Sequence, residues 1–282
     1  MASIASLNIY PIKSCRGVAI SSATLGCAGL ESAGIGDREW MVVDADTGMF
    51  LTQRQAPRMA LIAPALQLDV LCVAAPGMPD LHLPIDMSTP GETDIEVTVW
   101  NHVCRAFDAG DAAAGWFSKC LGRRLRLVRF DPAHRRLSDR EWTGDVEAPN
   151  RFSDGYPILL ISRASLADLN DRLVEAGREV LPMDRFRPNI VVDGVDPYDE
   201  DHFDHLHSPG IRLKPVKPCP RCPIPSIDQA TAEFGADPLD ILAQYRADLR
   251  TGGVVFGQNV IVLEGAGATI AIGQQFGAEW NF

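Results

Sequence analysis

In the first part of the chain, apolar residues occur in short runs or alternate with polar residues, which is the pattern of β-strands. The run Trp40–Asp44 is rich in β-branched and aromatic residues, and turn-forming residues at Asp44–Gly48 separate it from a returning strand at Met49–Thr52. A further run, Ala65–Leu71, has the same character. Residues 1–130 are therefore predicted to form a β-rich domain.

Two segments instead place their apolar residues at the spacing of a helix that buries one face. Residues 108–121 form one of them, and Gly122 is placed to end it. Residues 164–176 form the other, with Ser162 or Ser165 as the N-terminal cap. We interpret the leucine face of this second helix as part of the core and not as a binding site.

A second β-rich region follows a polar stretch. Residues 131–150 are charged and carry a proline near each end, so we interpret them as a linker or loop between two domains. Strand-like runs recur at 211–216 and 254–263, and 268–273 is expected to return antiparallel. The fold class is thus predicted to be α+β and predominantly β, with a second domain over 131–282 and a few peripheral helices.

Composition narrows the range of functions. The formal net charge is −11, from 37 acidic and 26 basic residues, which disfavours binding to nucleic acid or to an anionic membrane. The seven cysteines are scattered and odd in number, as expected in a reducing compartment. The N-terminus does not have the pattern of a signal peptide, and no run reaches the ~18 apolar residues of a membrane helix. We therefore expect a cytoplasmic protein without a membrane anchor.

The most distinctive segment, residues 217–228, has the sequence Lys-Pro-Cys-Pro-Arg-Cys-Pro-Ile-Pro-Ser-Ile-Asp. Each proline fixes its own φ, removes a backbone donor and pushes the preceding residue away from the helical conformation. The segment is therefore predicted to be a stiff, non-helical loop that holds Cys219, Arg221 and Cys222 in nearly fixed positions. Side chains held in this way bind a ligand without first losing conformational entropy.

The residues of this loop alone leave its chemistry open. Thiolates are ligands for soft metals, but a structural zinc site needs about four ligands, and no cysteine or histidine follows Cys222. A thioredoxin-like dithiol would start a helix, which the proline after Cys222 disfavours. A rigid turn with packed thiols is the third interpretation. The histidines at 202, 205 and 207 are interpreted as part of a polar surface loop in preference to a metal site.

Polar residues at the ends of strands supply further candidates. Lys13-Ser14 follows a short strand, and Arg38 and Arg54 lie at the outer ends of the first predicted hairpin. The segment Arg187–Asn189 enters another strand and offers a guanidinium and an amide, which suit an anion and a heterocycle. Taken alone, each of these residues fits a solvated or salt-bridged surface position at least as well as it fits a binding site.

In combination, these segments resemble the MOSC family over nearly the whole chain and in the family's order. The most specific elements are Phe186–Asn189 and Cys219–Cys222. The other matching segments are Tyr10–Ser14, Asp37–Asp44, Thr52–Gln55, Ser162–Leu173, Ile190-Val191 and Phe256–Gln258. The members that the chain resembles are the mitochondrial amidoxime-reducing components and their bacterial counterparts. The resemblance implies a MOSC N-terminal β-rich domain packed on a MOSC β-barrel domain.

The resemblance also implies a molybdenum cofactor, a molybdopterin with one phosphate. It assigns the metal ligand and catalytic residue to Cys222. The implied cofactor-binding residues come from distant segments and are Lys13, Ser14, Arg38, Arg54, Tyr156, Arg187, Asn189, Pro220, Arg221 and Asn259. The chain departs from the family in two places: Gly155 and Tyr156 occupy a turn in which relatives carry hydroxyl residues, and Asn259 stands where relatives have a tyrosine.

The function that the resemblance implies is the reduction of N-hydroxylated small molecules, such as amidoximes or hydroxylated nucleobases. Some bacterial relatives carry a fused ferredoxin with four cysteines, whereas no cysteine follows Cys222 here. A separate electron-donor protein is therefore expected, either ferredoxin-like, cytochrome b5-like or a flavin reductase. The alternative is a non-catalytic carrier of the molybdenum cofactor or of sulfur, in which Cys219 would matter more. A purely structural role is the third hypothesis.

Overall fold

The computed structural model describes residues 1–67, 69–85 and 94–281, and β-strands predominate in these ranges. The strands are β1 (Ala2–Ile9), β2 (Val18–Ile20), β3 (Ser22–Gly26), β4 (Gly29–Ser32), β5 (Ile35–Gly36), β6 (Trp40–Asp44), β7 (Ala63–Gln67), β8 (Val70–Ala74), β9 (Leu81–Pro84), β10 (Asp94–Val99), β11 (His102–Asp108), β12 (Leu125–Phe130), β13 (Ile158–Ser162), β14 (Ile190–Asp193), β15 (Phe203–Ser208), β16 (Ile211–Pro220), β17 (Ala247–Asp248), β18 (Gly253–Glu264), β19 (Thr269–Ala271) and β20 (Gln275–Trp280). The α-helices are α1 (Gly110–Leu121), α2 (Arg140–Thr143), α3 (Arg163–Glu175) and α4 (Leu239–Ala243). The α+β, predominantly β fold class is confirmed.

Seven strands close into a barrel. Their order is β13-β14-β1-β20-β15-β16-β18, and β18 pairs back onto β13. The first strand of the chain lies inside this barrel, because β1 pairs with β14 on one side and β20 on the other. Strand pairing therefore crosses the boundary between residues 1–130 and 131–282, and that division stays a prediction. Fully buried aliphatic side chains, among them Leu7, Leu160 and Val260, form the barrel core.

The described residues also form three smaller sheets, with the strand orders β10-β11-β12-β6, β7-β8-β9 and β19-β3-β4-β5. In the last of these, β19 pairs with β3 through Thr269 and Thr24. The expectation that 268–273 returns along the preceding strand is therefore wrong. The physical reason is that both edges of β18 are already occupied, one by β16 and the other by β13.

The two longer helices agree with the sequence-based predictions. Helix α1 ends at Gly122, whose φ of 67° is the left-handed conformation of a helix C-cap. Helix α3 begins at Ser162, whose hydroxyl accepts a hydrogen bond from the Ser165 backbone N–H at 3.0 Å. Ser165 donates its own hydroxyl to the buried carboxylate of Glu200. Within the described ranges, no helix is long and apolar enough to cross a membrane.

Two predicted strands have different forms in the structure. The run Ala65–Leu71 is divided between β7 and β8, with Asp69 at a φ of 60° in the turn between them and Leu68 outside the described residues. The segment Met49–Thr52 pairs with β6 through backbone hydrogen bonds as far as Leu51, but it contributes only isolated bridges from Met49 and Phe50 and no full strand.

The histidines at 202, 205 and 207 were expected in a surface loop, but residues 203–208 form β15. Donor atoms of Asp204, His205 and Glu279 lie within 4.8 Å of one another across β15 and β20. The Arg212 guanidinium already lies 3.8 Å from the Glu279 carboxylate. Because a cation of the chain occupies this position, we assign no metal to the cluster.

The interpretation of residues 131–150 as a linker or loop is right in part. They form a loop that contains α2, and their buried residues tie the loop to the rest of the protein. The Arg136 side chain is buried and donates hydrogen bonds to the carbonyl oxygens of Arg151 and Ser153, at 2.6 and 2.7 Å. It also donates to the Asp154 carbonyl oxygen at 3.3 Å and to the Asn150 side chain. Arg136 thus fixes the turn that precedes β13, and this turn forms one wall of the site described next.

Candidate functional site

A cleft with about 780 Å³ of empty space, part of it open to solvent, lies where segments next to β1, β6, β13, β14 and β16 meet. We call it the first cleft. Of the site residues predicted from sequence, its walls contain Lys13, Ser14, Arg38, Tyr156, Arg187, Asn189, Pro220, Arg221, Cys222 and Asn259. Arg54 does not line it. Residues far apart in the chain therefore converge here, as their proposed common role requires.

Three residues of the first cleft have a backbone conformation that side chains disfavour. The φ angles of Ser14, Arg38 and Arg187 are 65°, 45° and 58°. In this left-handed region a residue with a Cβ atom costs roughly 1–2 kcal/mol. Such strain is concentrated at binding and catalytic sites, where the surrounding structure offsets it. Its clustering supports a functional role for this cleft.

A buried carboxylate, Asp37, organises one wall of the cleft. It accepts hydrogen bonds from the Tyr10 backbone N–H at 2.8 Å and from Asn189 Nδ2 at 2.9 Å. Arg38 Nη1 donates to its second oxygen at 2.5 Å. Asp37 therefore fixes the Arg38 guanidinium relative to two other segments and neutralises its charge.

Asn189 is buried, and its amide is fully used by the protein. Its Nδ2 donates to the Asn8 carbonyl oxygen at 3.2 Å and to Asp37. Its Oδ1 accepts from the Leu159 backbone N–H at 3.1 Å and from Arg38 Nη1 at 3.0 Å. Two donors and two acceptor positions are thereby filled. This geometry makes Asn189 a positioning residue that acts on the cleft through Arg38.

Arg187 differs from Arg38 because its charge is buried and only weakly satisfied. It is 9% exposed, its Nη1 lies 3.4 Å from Gln229 Oε1, and its Nη2 has no hydrogen-bond partner in the described residues. Burial lowers the pKa of this guanidinium, and repulsion from Arg38 acts in the same direction. A buried donor without a partner costs free energy, so the site favours an anion that accepts its hydrogen bonds.

Tyr10 lies against both guanidiniums. The Arg38 and Arg187 Cζ atoms lie over its ring, at 4.2 and 4.4 Å from the ring centroid. Its hydroxyl donates to the Pro188 carbonyl oxygen at 3.2 Å. Burial raises the pKa of Tyr10 to about 12, so the phenol stays neutral near pH 7. The ring stabilises two neighbouring cations through its negative face.

Lys13 pairs with a carboxylate at the mouth of the cleft. Its Nζ lies 2.6 Å from Asp154 Oδ1, which also accepts from Trp100 Nε1 at 3.1 Å. Burial lowers the pKa of Lys13, while Asp154 opposes that change. The Asp154 side chain is exposed, and the nearby Lys13 ammonium holds its pKa well below its ordinary value.

The two cysteines of the proline-rich segment have different environments. Strand β16 continues to Pro220, and its pairing with β18 is interrupted at Pro215 and again at Pro218, since proline cannot donate to the ladder. The Cys219 Sγ accepts a hydrogen bond from Arg221 Nη1 at 3.1 Å. The thiol of Cys222 is half-buried and makes no hydrogen bond with any residue that the structure describes. Cys222 is thus the thiol left available to a ligand.

Gly257, in the Phe-Gly-Gln segment of β18, explains why this strand approaches β13 so closely. Its φ is 77°, and a Cβ atom there would lie 2.5 Å from Ile161 Cγ1 and 2.8 Å from the Leu160 carbonyl oxygen. Only glycine fits both constraints. The contact holds Asn259, two residues later in β18, at the cleft wall.

Arg54 lies in an adjoining cleft, which we call the second cleft. Its walls contain Arg54, Trp100, His102, Arg136, Asp139 and Lys217, and it shares Asp154–Tyr156, Cys219–Cys222 and Asn259 with the first cleft. The Arg54 guanidinium lies over the Trp100 ring at 4.6 Å from the ring centroid. The two arginines at the ends of the predicted hairpin, Arg38 and Arg54, therefore line different clefts, which share the segment Cys219–Cys222.

Several residues of the site were not selected from the sequence as functional. They are Tyr10, Asp37, Arg136, Asp154 and Gln229, and each acts mainly by hydrogen bonds or ring contacts with a distant segment. The sequence did carry a signal for Tyr10 and Asp37, because both lie in segments that match the family. The sequence carried no such signal for Arg136 and Gln229, because a single polar residue in a polar stretch does not indicate which distant residue it will contact.

The class of protein follows from the closed β-barrel together with the match to family models. Residues 1–124 match the MOSC N-terminal beta barrel domain, and residues 147–276 match the MOSC domain. The chain therefore belongs to the MOSC family.

Named relatives make the similarity more specific. The chain is 38% identical to the mitochondrial amidoxime reducing component 2 of Rattus norvegicus, over 84% of this chain and 70% of that protein. It is 37% identical to the mitochondrial amidoxime-reducing component 1 of Homo sapiens, over 86% of this chain and 72% of that protein. It is also 30% identical to the molybdenum cofactor sulfurase of Bos taurus, over 86% of this chain but only 29% of that protein.

Proposed function

We propose that this protein binds a molybdenum cofactor in the first cleft and reduces N-hydroxylated small molecules in the cytoplasm, with electrons from a separate donor protein. The observation that carries the proposal is the pairing of a free thiol with an unsatisfied buried cation. Cys222 has no hydrogen-bond partner in the described residues, and Arg187 Nη2 is buried without one in the same cleft. A soft metal ligand next to an anion site suits a metal carried on a phosphorylated pterin.

The residues of the cleft fit such a group. Cys222 would hold the metal, and Arg187, Lys13 and Ser14 would hold the phosphate or the polar edge of the pterin. Tyr156 also has a buried hydroxyl without a hydrogen-bond partner in the described residues, and burial raises the pKa of that phenol, so it remains a neutral donor. When bound, the cofactor would supply two-electron redox chemistry. The overall reaction converts R–NHOH, two electrons and two protons into R–NH2 and water.

The second candidate is a carrier of the cofactor or of sulfur. The similarity to a molybdenum cofactor sulfurase favours it. So does the contact between Cys219 Sγ and Arg221 Nη1, because a cation next to a thiol stabilises an anionic sulfur species. A carrier would bind the cofactor but would not turn over N-hydroxylated substrate.

The first experiment is to produce the full chain in a host that makes the cofactor and to measure molybdenum by mass spectrometry and released pterin by fluorescence. We expect about one molybdenum and one pterin per chain. The same preparation is then given benzamidoxime and a chemical reductant, and formation of benzamidine is measured. Cofactor with turnover supports the reductase, and cofactor without turnover supports the carrier. Folded protein with neither metal nor pterin contradicts both.

A prediction about Tyr10 tests the arrangement of the two guanidiniums. Changing Tyr10 to leucine removes the ring that both cations contact, and each such contact contributes ~0.5–2 kcal/mol. We expect cofactor content to fall severalfold. Changing Tyr10 to phenylalanine keeps the ring and removes only the hydrogen bond to Pro188, so most cofactor should remain. Thermal unfolding of both variants serves as the folding control, and equal cofactor content in the two would contradict the role of the ring.

A further inference from the structure

The second cleft carries an excess of positive charge in a chain whose formal net charge is −11. Its walls contain Arg54, Arg136, Lys217 and Arg221. Within residues 1–67, 69–85 and 94–281, none of these four cations has a carboxylate within 4.0 Å. Most arginines of the described chain do form such pairs, so the unpaired cations of this cleft stand out.

The two carboxylates of the second cleft do not balance this charge. Asp154 is paired with Lys13 at 2.6 Å, on the side of the first cleft. Asp139 caps α2 by accepting a hydrogen bond from the Glu141 backbone N–H at 3.0 Å and keeps its negative charge, so one carboxylate faces four cations. His102 adds no negative charge, and burial followed by repulsion from Arg136 lowers its pKa. The electrostatic potential in the second cleft is therefore positive and favours an anion.

Two of the four cations are available for direct contact with a ligand. Arg136 donates to backbone carbonyl oxygens, and Arg221 donates to Cys219 and to the Phe186 carbonyl oxygen. Arg54 donates only from Nε to the Thr52 hydroxyl. The Lys217 ammonium makes no hydrogen bond within the described ranges; its Nζ lies 4.8 Å from the Trp142 ring centroid and 5.8 Å from that of Tyr156. Both side chains are partly exposed.

An exposed aromatic ring, that of Trp100, also lines the second cleft. Trp100 is 44% exposed, although tryptophan is usually well buried. It is held by a hydrogen bond from Nε1 to Asp154 and by its contact with Phe50, and its φ is 55°. An exposed indole in a strained and fixed position suits stacking against a planar ligand.

We propose that the second cleft binds the anionic group of a planar substrate whose N-hydroxyl group lies at Cys222. This inference rests on the proposed reductase function and narrows its substrate class. The preferred substrates are N-hydroxylated aromatic or heteroaromatic molecules that also carry a phosphate or a carboxylate. Trp100 contacts the ring, and Arg54 and Lys217 contact the anion. Because the two clefts share the segment Cys219–Cys222, one ligand reaches both the anion site and the thiol.

The test compares pairs of probes that differ in the anion. N4-hydroxycytidine is compared with its 5′-monophosphate, and benzamidoxime is compared with 4-carboxybenzamidoxime. Binding to the cofactor-loaded protein is measured by calorimetry, and KM is measured with a chemical reductant. We expect the anionic member of at least one pair to bind about 10-fold or more tightly, as a charge-assisted contact contributes ~1.5–3 kcal/mol. The preference should weaken as ionic strength rises. Preference for the phosphate alone identifies nucleotides, and preference for the carboxylate alone identifies aromatic acids.

Substitutions at Lys217 and Arg54 test where the anionic group of the probe binds. We expect two variants, Lys217→Gln and the double variant Arg54→Gln with Lys217→Gln, to lose the preference for the anionic probe. The ratio of the affinities for the two members of a pair should then approach one. The matched controls are Lys214→Gln, on the same strand as Lys217, and Arg58→Gln, close to Arg54 in the chain; neither residue lines a cleft, and both variants should keep the preference. Equal binding of both members in each pair overturns the inference. So does a preference that both the Lys217→Gln variant and the Arg54→Gln, Lys217→Gln double variant keep in full, because the anion would then be bound elsewhere.

The outcomes also separate this inference from the proposed reductase. Binding preference without any turnover supports the anion site and contradicts the reductase. Turnover of neutral and anionic substrates with equal KM and equal affinity supports the reductase and contradicts the anion site.

Discussion

Changing Cys222 to alanine is expected to lower benzamidoxime reduction by more than about 100-fold while the fold is retained. Even residues that only support metal ligands cost about 10- to 100-fold when they are replaced, so loss of the ligand itself should cost more. The fold should tolerate the change, since the half-buried thiol makes no hydrogen bond within the described residues. Molybdenum content, pterin content and turnover are measured on the same preparation.

Cys219→Ala is the matched control, because Cys219 lies three residues away in the same proline-rich segment. It loses the contact between Sγ and Arg221 Nη1, but Arg221 keeps its hydrogen bond to the Phe186 carbonyl oxygen at 2.7 Å. We expect activity within about 10-fold of the unchanged protein, as the lost bond is worth ~1 kcal/mol. Equal loss of metal and activity in both variants would show that Cys222 is not the sole ligand.

The sequence predicted those parts of the fold that depend on local signals. The end of α1 at Gly122 and the start of α3 at Ser162 follow from backbone geometry and side-chain capping within one turn of helix. Strand β6 follows from a short apolar run before a turn. The prolines around Cys219 predicted a non-helical loop. The structure instead has a strand with irregular pairing up to Pro220 and a short 3-10 helix at Ile224–Ser226.

Features that depend on pairing between distant segments were predicted less well. The edges of β18 were already occupied, and only the complete sheet reveals this. The packing of residues 131–150 depends on one buried arginine, Arg136, whose partners lie in the following turn. The polar sequence therefore indicated a linker or loop, but it did not indicate that a buried arginine holds this loop to the turn before β13.

The candidate site also depends on contacts between distant segments, which the sequence did not reveal. Resemblance to a family identified the residues that line the first cleft, but it did not indicate how each one acts. Asn189 was predicted to contact a cofactor, and its amide is fully occupied by Asn8, Asp37, Leu159 and Arg38. Its neighbour Arg187 has a free donor instead. The difference comes from hydrogen bonds across the barrel, which sequence spacing does not reveal.

Changing Arg187 to glutamine is expected to separate cofactor binding from stability. The buried guanidinium has an unpartnered Nη2, and burial with repulsion from Arg38 lowers its pKa, so its charged form destabilises the cofactor-free fold. Removing the charge should leave unfolding of cofactor-free protein unchanged or raise its free energy by ~1 kcal/mol. The same change removes donors for a phosphate. We therefore expect cofactor content to fall about 10-fold or more, since a hydrogen bond to a charged group contributes ~1.5–3 kcal/mol.

Two further variants make this prediction specific. Arg187→Lys keeps the charge but loses the planar, forked donor geometry, and it should retain an intermediate amount of cofactor. Arg163→Gln removes an exposed arginine that pairs with Asp193 at 3.1 Å on the surface, and it should change neither cofactor content nor stability by much. Cofactor content is measured as molybdenum and pterin per chain, and stability by denaturant unfolding of the cofactor-free protein. Full cofactor content in Arg187→Gln would show that Arg187 does not bind the cofactor. A loss of cofactor that only parallels a loss of stability would show that its role is structural.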